Sequence, residues 1–267
     1  MLKIIKWIFK AVLGLALTLA VIIGSYVFWF SGSSHVPDKL VTKTEYQSVG
    51  GPILIFGGNR ATGLEIVRDL VARGERVTVA VRASSDTRAL DELGVRTVIA
   101  DALDAAQVMK VFESDQYAAV ISTLGTTRGD QAKRPDYIGN RNVIDAAVTT
   151  GAQRFVFITV IGAGDSRDTA PLPARNFLQE VIQLKTQAED HLIASGLAYT
   201  IIRPGGLTDR KATGTAVLAE DPQAFSYIAR VDLAALAVEA LGNPATAGKI
   251  FAAYDPSRPT LWYTFSD

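Results

Sequence analysis

Polar and apolar positions divide the chain sharply. From Ala11 to Phe30 the run AVLGLALTLAVIIGSYVFWF carries no charge. Twenty helical residues at about 1.5 Å each reach roughly 30 Å, enough to cross the hydrocarbon core of a bilayer. Trp7 at one end and Tyr26 and Trp29 at the other suit the two interfaces; Lys3, Lys6 and Lys10 precede the run, and Lys39 and Lys43 follow it. A cleaved leader would have a shorter apolar core, about 7–15 residues, and Ser31-Gly32-Ser33 is only a passable cleavage site. Residues 1–30 are therefore read as a retained single-pass membrane anchor. Residues 31–51, SGSSHVPDKLVTKTEYQSVGG, read as a polar linker.

Beyond residue 51 the pattern alternates between short apolar runs and amphipathic stretches, so residues 52–267 are expected to form one domain. Ile53–Phe56 and Val77–Val81 read as buried strands. Between them Ile66, Val67, Leu70 and Val71 mark one helical face, with Arg68, Asp69 and Arg73 opposite. Gly74 stands where a left-handed cap is often needed. Further strands are predicted at Thr97–Ala100, Ala118–Ser122, Arg154–Thr159, Tyr199–Ile202 and Lys249–Ala253, with helices notably over Tyr137–Thr150 and Phe177–Ser195. Strands separated by helices imply right-handed crossovers and a doubly wound parallel sheet, an α/β fold. The polar stretch Ala163–Asn176 reads as a loop beyond a strand's carboxyl end, the side on which such sheets bind ligands.

Charge and composition narrow the chemistry. Lys+Arg and Asp+Glu both number 27, and three of the lysines lie in the anchor, so the remainder is slightly acidic. That speaks against nucleic-acid binding. With no cysteine, disulfides, thiol nucleophiles and cysteine metal sites are excluded, and two distant histidines, His35 and His191, make a histidine metal site improbable. No metal is expected.

The unit Pro52–Arg82 is strand, glycine-rich turn, helix and strand. Gly57 follows the first strand and Gly63 opens the helix, so backbone N–H groups and the positive helix end would face a pyrophosphate. Ala61 adds one methyl group where the backbone must approach the phosphate.

The segment FGGNRATG resembles the TGxxRGxG loop of short-chain dehydrogenase/reductases, with Ala61 in place of the middle glycine. The resemblance covers roughly Pro52 to Ala253. LKTQAEDHLIASGLAYTIIRPGGL is its most specific part, characteristic of the atypical NAD(P)-binding branch with NmrA-like proteins and flavin or biliverdin reductase relatives. It implies a Rossmann fold and a cofactor loop of Gly57, Gly58, Asn59, Arg60, Ala61, Thr62 and Gly63. An arginine at the position of Arg60 commonly meets the 2′-phosphate of NADP in that family, and guanidinium does bind phosphate through forked bonds. Where an NAD enzyme carries an acid after the second strand, this chain has Arg82 and Ser84, which favours NADP(H) over NAD(H). The resemblance also implies that Asp101 and Ala102 frame the adenine and that Leu124 and Gly125 lie beside the riboses. It further implies that Lys185 bonds the nicotinamide ribose and that Pro204 and Gly205 lie near the carboxamide.

One departure bears on catalysis. The family's tyrosine, four residues before the lysine, is here Val181, and its serine position is Thr159 or Val160. Lys185 and Thr159 remain as catalytic candidates, with Tyr137 or Tyr227 as a phenol from another element. The expectation is a membrane-anchored NADPH-dependent reductase of unassigned substrate whose domain faces the cytoplasm. Its alternative is a non-catalytic redox sensor or assembly protein with a membrane-protein partner.

Overall fold

The computed structural model describes residues 2–30, 35–41, 46–125 and 134–259. The expectations for Ser31-Gly32-Ser33, Lys43, the side chain of Trp29 and the outermost residues of the domain fall outside that description. Helix α1 spans Leu2–Phe30. Among the described residues one helix, Lys3–Phe28, is long and apolar enough to cross a membrane, with mean hydropathy 2.3 and no buried face.

The domain then alternates strand and helix as the pattern predicts: β1 Ile53–Phe56, α2 Ala61–Ala72, β2 Val77–Val81, α3 Arg88–Glu92, β3 Arg96–Ile99, α4 Ala105–Glu113 and β4 Ala119–Ser122. The second half comprises α5 Ile138–Thr150, β5 Arg154–Ile158, α6 Leu172–Phe177, α7 Gln179–Ala194, β6 Tyr199–Pro204, β7 Gly206–Thr208, β8 Val217–Ala219, β9 Tyr227–Ala229, α8 Arg230–Leu241 and β10 Lys249–Tyr254. The main sheet runs β3-β2-β1-β4-β5-β6-β10-β8, and β7 pairs with β9 apart from it. Seven strands are parallel, and β8 closes one edge antiparallel to β10. The order reverses between β1 and β4, and the carboxyl ends of those strands form the crevice where such sheets hold ligands.

Both faces are covered, which explains the nearly unbroken apolar strands. Ile53 and Ile55 pack with Ile66 and Leu70 of α2 and Leu233 and Leu236 of α8. Leu54 and Phe56 turn to the other side, among Phe112, Ile144, Phe155, Phe157 and Leu192. Asp104 caps α4 by accepting from the amides of Ala106 and Gln107, and Gly74 and Gly151 end α2 and α5 at φ of 77°.

Three expectations need correction. The stretch Ala163–Asn176 is not a bare loop: it carries a 3-10 turn at Gly164–Ser166 and most of α6. The segment Phe177–Ser195 breaks at Leu178 into α6 and α7. The described linker residues lie along the domain instead of hanging free. Val41 N donates to Leu218 O at 2.8 Å, Glu220 N to Lys39 O at 2.9 Å, and the Tyr46 hydroxyl to Glu75 at 3.0 Å. Short-range polarity made this segment look solvated; backbone pairing to β8 holds it.

Candidate functional site

The turn after β1 is closed by steric necessity. Gly57 has φ of 84°, and a Cβ there would stand 2.5 Å from Thr123 Oγ1. A Cβ on Gly63 would overlap the Gly57 carbonyl. Thr123, at the end of β4, donates its amide to Phe56 O at 3.0 Å and its hydroxyl to Gly57 O at 3.1 Å, binding the two strand ends together. Ala61 has φ of 48° and is, among the described residues, the only non-glycine at positive φ. The position that resembles a family glycine thus demands a glycine conformation, and alanine adopts it at roughly 1 kcal/mol.

Helix α2 starts here. Arg60 is its N-cap, extended at φ of −160° and without a side-chain cap bond, and the first helical bond runs from Leu64 N to Arg60 O at 3.1 Å. The amides of the first turn have no intrahelical partner by geometry. A helix of twelve residues ending on such donors suits an anionic group, so the residues present fit a dinucleotide's pyrophosphate.

Arg60, Arg82 and Ser84 are all exposed around this turn. Asn59 Nδ2 reaches Asp86 O at 3.5 Å, linking the glycine turn to the loop after β2. Asp86 is the nearby acid, and Arg88 answers it at 2.6 Å. Hydrogen bonds from the Arg88 side chain and backbone lower the Asp86 pKa to about 2. Among the described residues, no carboxylate forms an ion pair with Arg60 or Arg82. Both guanidinium groups remain available to an anion.

On the same edge, Asp101 accepts from Leu103 N at 3.0 Å, so its carboxylate caps a turn. Ala102 is buried, and its carbonyl accepts from Asn142 Nδ2 at 2.9 Å.

Further along the crevice lies Lys185, buried on α7 with 4 % of its surface exposed. Its Nζ donates to Leu124 O and, at 3.3 Å, to Ile158 O, and stands 4.7 Å above the Phe157 ring. The ammonium therefore ties the carboxyl ends of β4 and β5. Burial lowers its pKa to about 8, against the raising effect of Asp136 and Glu189. Asp136 is fully buried, and its Oδ1 is 2.9 Å from where a Gly125 Cβ would stand. Sequence reading missed Asp136 and the neighbouring pair Ser122–Asn140, joined at 2.6 Å. A buried polar residue follows no period, and only the motif context DYIGNRN could have drawn attention to it.

Around Lys185 the structure gathers the other predicted residues. Thr159 is buried after β5, and its amide donates to Ile202 O at 2.9 Å, with the hydroxyl 3.5 Å from the same atom. Pro204 O accepts from Ile161 N at 2.9 Å. A Cβ on Gly205 would overlap Ser226 O. Val181 sits one turn before Lys185 on α7 and is buried, so an aliphatic side chain stands where the family places its acid. Tyr227 is also buried, T-stacked on Phe225 at 5.6 Å between centroids, in a small cluster with Ile161 and Ala170. Burial, assisted by Tyr26, raises its pKa to about 12, which makes it a poor proton donor near neutral pH. Tyr137, the other candidate phenol, precedes α5 and lies 5.8 Å under the Arg141 guanidinium. Beneath all of these, Arg203 bonds Glu189 at 2.7 Å and also Asp165, a fully built ion pair that sequence gave no means of locating.

Comparisons with known proteins bear on the fold and the cofactor class. A family model described as NAD(P)H-binding matches residues 57–244. The solved structure of ChuY, an anaerobillin reductase from Escherichia coli O157:H7, is 31 % identical. It aligns with a TM-score of 0.70 over 77 % of this chain and 97 % of that one. An uncharacterised chloroplastic protein of Arabidopsis thaliana is 32 % identical over 199 residues, 71 % of each chain. The sanguinarine reductase of Eschscholzia californica is 35 % identical over 131 residues, 46 % of each. Among these curated relatives the match spans between 34 % and 92 % of the other protein's length.

Proposed function

The chain belongs to the NAD(P)H-binding family of atypical short-chain dehydrogenase/reductase-like proteins, and from that premise we propose that it is a membrane-anchored, NADPH-preferring reductase of a conjugated acceptor. The reading rests above all on the crevice at β1 and β4, where a glycine turn, an uncapped helix start and two exposed arginines stand at one end and a buried lysine at the other. In this reading the amides of α2 take the pyrophosphate, and Arg60, Arg82 and Ser84 take the 2′-phosphate. Bound there, the reduced nicotinamide supplies a hydride.

Lys185 holds Leu124 and Ile158 in place so that the ribose side of the crevice keeps its shape. Thr159, Pro204 and Gly205 bound the reacting end, and Val181 keeps water from its flank. With Val181 unable to give a proton and Tyr227 holding its own tightly, the site best suits an acceptor whose reduced anion takes a proton from solvent. A conjugated system meets that condition, since charge arriving on one carbon spreads along the chain of double bonds. The likeness to an anaerobillin reductase and a sanguinarine reductase supports the same class.

Residues 1–30 would carry the anchor, with the domain on the cytoplasmic face where NADPH is present. Stopped-flow loss of NADPH absorbance with tetrapyrrole, flavin or quinone acceptors tests the proposal, and turnover with at least one class is expected. The aliphatic Val181 favours one second reading, a nucleotide-gated sensor. It would give no turnover and capture a membrane partner only with NADP(H) bound.

A further inference from the structure

The nucleotide reading leaves one surface unexplained, at the carboxyl ends of β5 and β6. None of the six residues of α6 is buried, and Leu172 and Phe177 are 43 % and 79 % exposed. Two apolar side chains on one short helix are ordinary in isolation. Their position is what distinguishes them. Helix α1 packs against α6. From Lys3 to Phe28 the only side chain of α1 that is not exposed is Val27, so this contact lies at the end of α1 nearest the domain. The neighbouring Tyr26 acts electrostatically on Tyr227, in the apolar cluster with Ile161, Ala170 and Phe225.

The described residues between α1 and the domain are held against it as well. His35 Nε2 lies 2.7 Å from Asp221 Oδ2, and residues 39 and 41 pair with the backbone beside β8. Tyr46 lies 4.8 Å beneath the Arg73 guanidinium. Together with the contact of α1 on α6, these bonds bring the α6 face of the domain toward the plane that α1 enters.

Resting on the membrane-anchored reductase reading, we propose that α6 lies in the interfacial layer of the bilayer that α1 spans. Leu172 and Phe177 are inserted among the lipids, and the buried apolar cluster of Ile161, Ala170, Phe225 and Tyr227 lies behind them, so that an apolar acceptor enters from the membrane side. An aromatic ring next to the emerging end of a span sits at the depth such rings favour, and burying Leu172 and Phe177 in lipid removes apolar surface from water.

The chain contains no cysteine, so an introduced one is labelled uniquely. Full-length Phe177→Cys carrying an environment-sensitive fluorophore is reconstituted in phosphatidylcholine–phosphatidylglycerol vesicles. Val148→Cys serves as comparison: Val148 is 45 % exposed near the far end of α5, away from the crevice. A blue shift and quenching by nitroxide-bearing lipid are expected at position 177 and absent at 148. Equal behaviour at both positions overturns the proposal. So does protection of the 177 label that persists in detergent and grows with protein concentration, because a second copy would then cover α6. Quenching without any NADPH turnover upholds α6 in the bilayer and removes only the reductase reading. Where turnover is found, Leu172→Asp with Phe177→Asp should lower the rate with a long-tailed quinone and spare a short, water-soluble one. An equal fall with both would overturn entry from the lipid side.

Discussion

The turn after β1 and the segment after β5 both leave the carboxyl ends of parallel strands, with β4 between them, yet they are built in opposite ways. The first is built on glycine: Gly57 and Gly63 let backbone approach backbone, Gly58 leaves room for Val79, Ile55 and Val67, and charge arrives from exposed arginines at its rim. The second is filled. Lys185, Arg203 and Glu189 are buried in direct hydrogen bonds, and Ile161, Phe225 and Tyr227 make a small apolar wall. A phosphate can be held by amides and charge alone, so one end tolerates exposure. On the proposed reading hydride transfer takes place at the other end, and burial there limits the access of bulk water to the reacting carbon.

The largest expected effect falls at the filled end. Replacing Lys185 by Met leaves the Leu124 and Ile158 carbonyls without their donor and removes its electrostatic attraction for the buried Asp136, and a buried polar group left unsatisfied costs about 1–3 kcal/mol. Chemical denaturation measures it, and a loss under 1 kcal/mol would mean that the lysine is a bystander. The same variant has a pH signature. Lys185 has a pKa of about 8 in the fold against 10.5 for the free side chain. Between those values the unfolded chain binds more protons, so stability should rise with pH across that window by about 3 kcal/mol at most and fall away again as pH drops toward 8. The wild type should show this slope relative to Lys185→Met; parallel curves would contradict the buried ammonium.

Next in size comes the open end. With the full chain in detergent, Arg60→Ala or Arg82→Ala should each weaken NADPH binding by about 1.5–3 kcal/mol and leave NADH almost unchanged, as read by calorimetry. Equal losses for both nucleotides would place the arginines away from the 2′-phosphate. The smallest effect is at Ala61→Gly, which should stabilise the fold by up to about 1 kcal/mol by relieving a left-handed alanine. Destabilisation there would show that the methyl group packs against something useful.

Legibility from sequence followed the same division. Strands β1 and β2, the face of α2 and the glycine turn were readable because each depends on spacing within a dozen residues. The left-handed φ at Ala61 was foreshadowed by the missing glycine. Short strands β7, β8 and β9 were not readable, since three residues carry no period and their pairing is decided by distant partners such as Gly206 with Tyr227. The burial of Tyr227 escaped notice for that reason. The burial of Asp136 and the Arg203–Glu189 pair escaped because a buried polar contact is a tertiary event without a local trace.

The stretch Lys39–Val41 lies along β8, the outermost strand of the sheet. Those few residues work as a selvedge. They occupy amide and carbonyl groups that another polypeptide would otherwise find open for pairing. Trimming the amino terminus to obtain a soluble product should therefore stop short of Lys39, because a cut beyond Val41 would unhem the weave and invite copies to stitch themselves together.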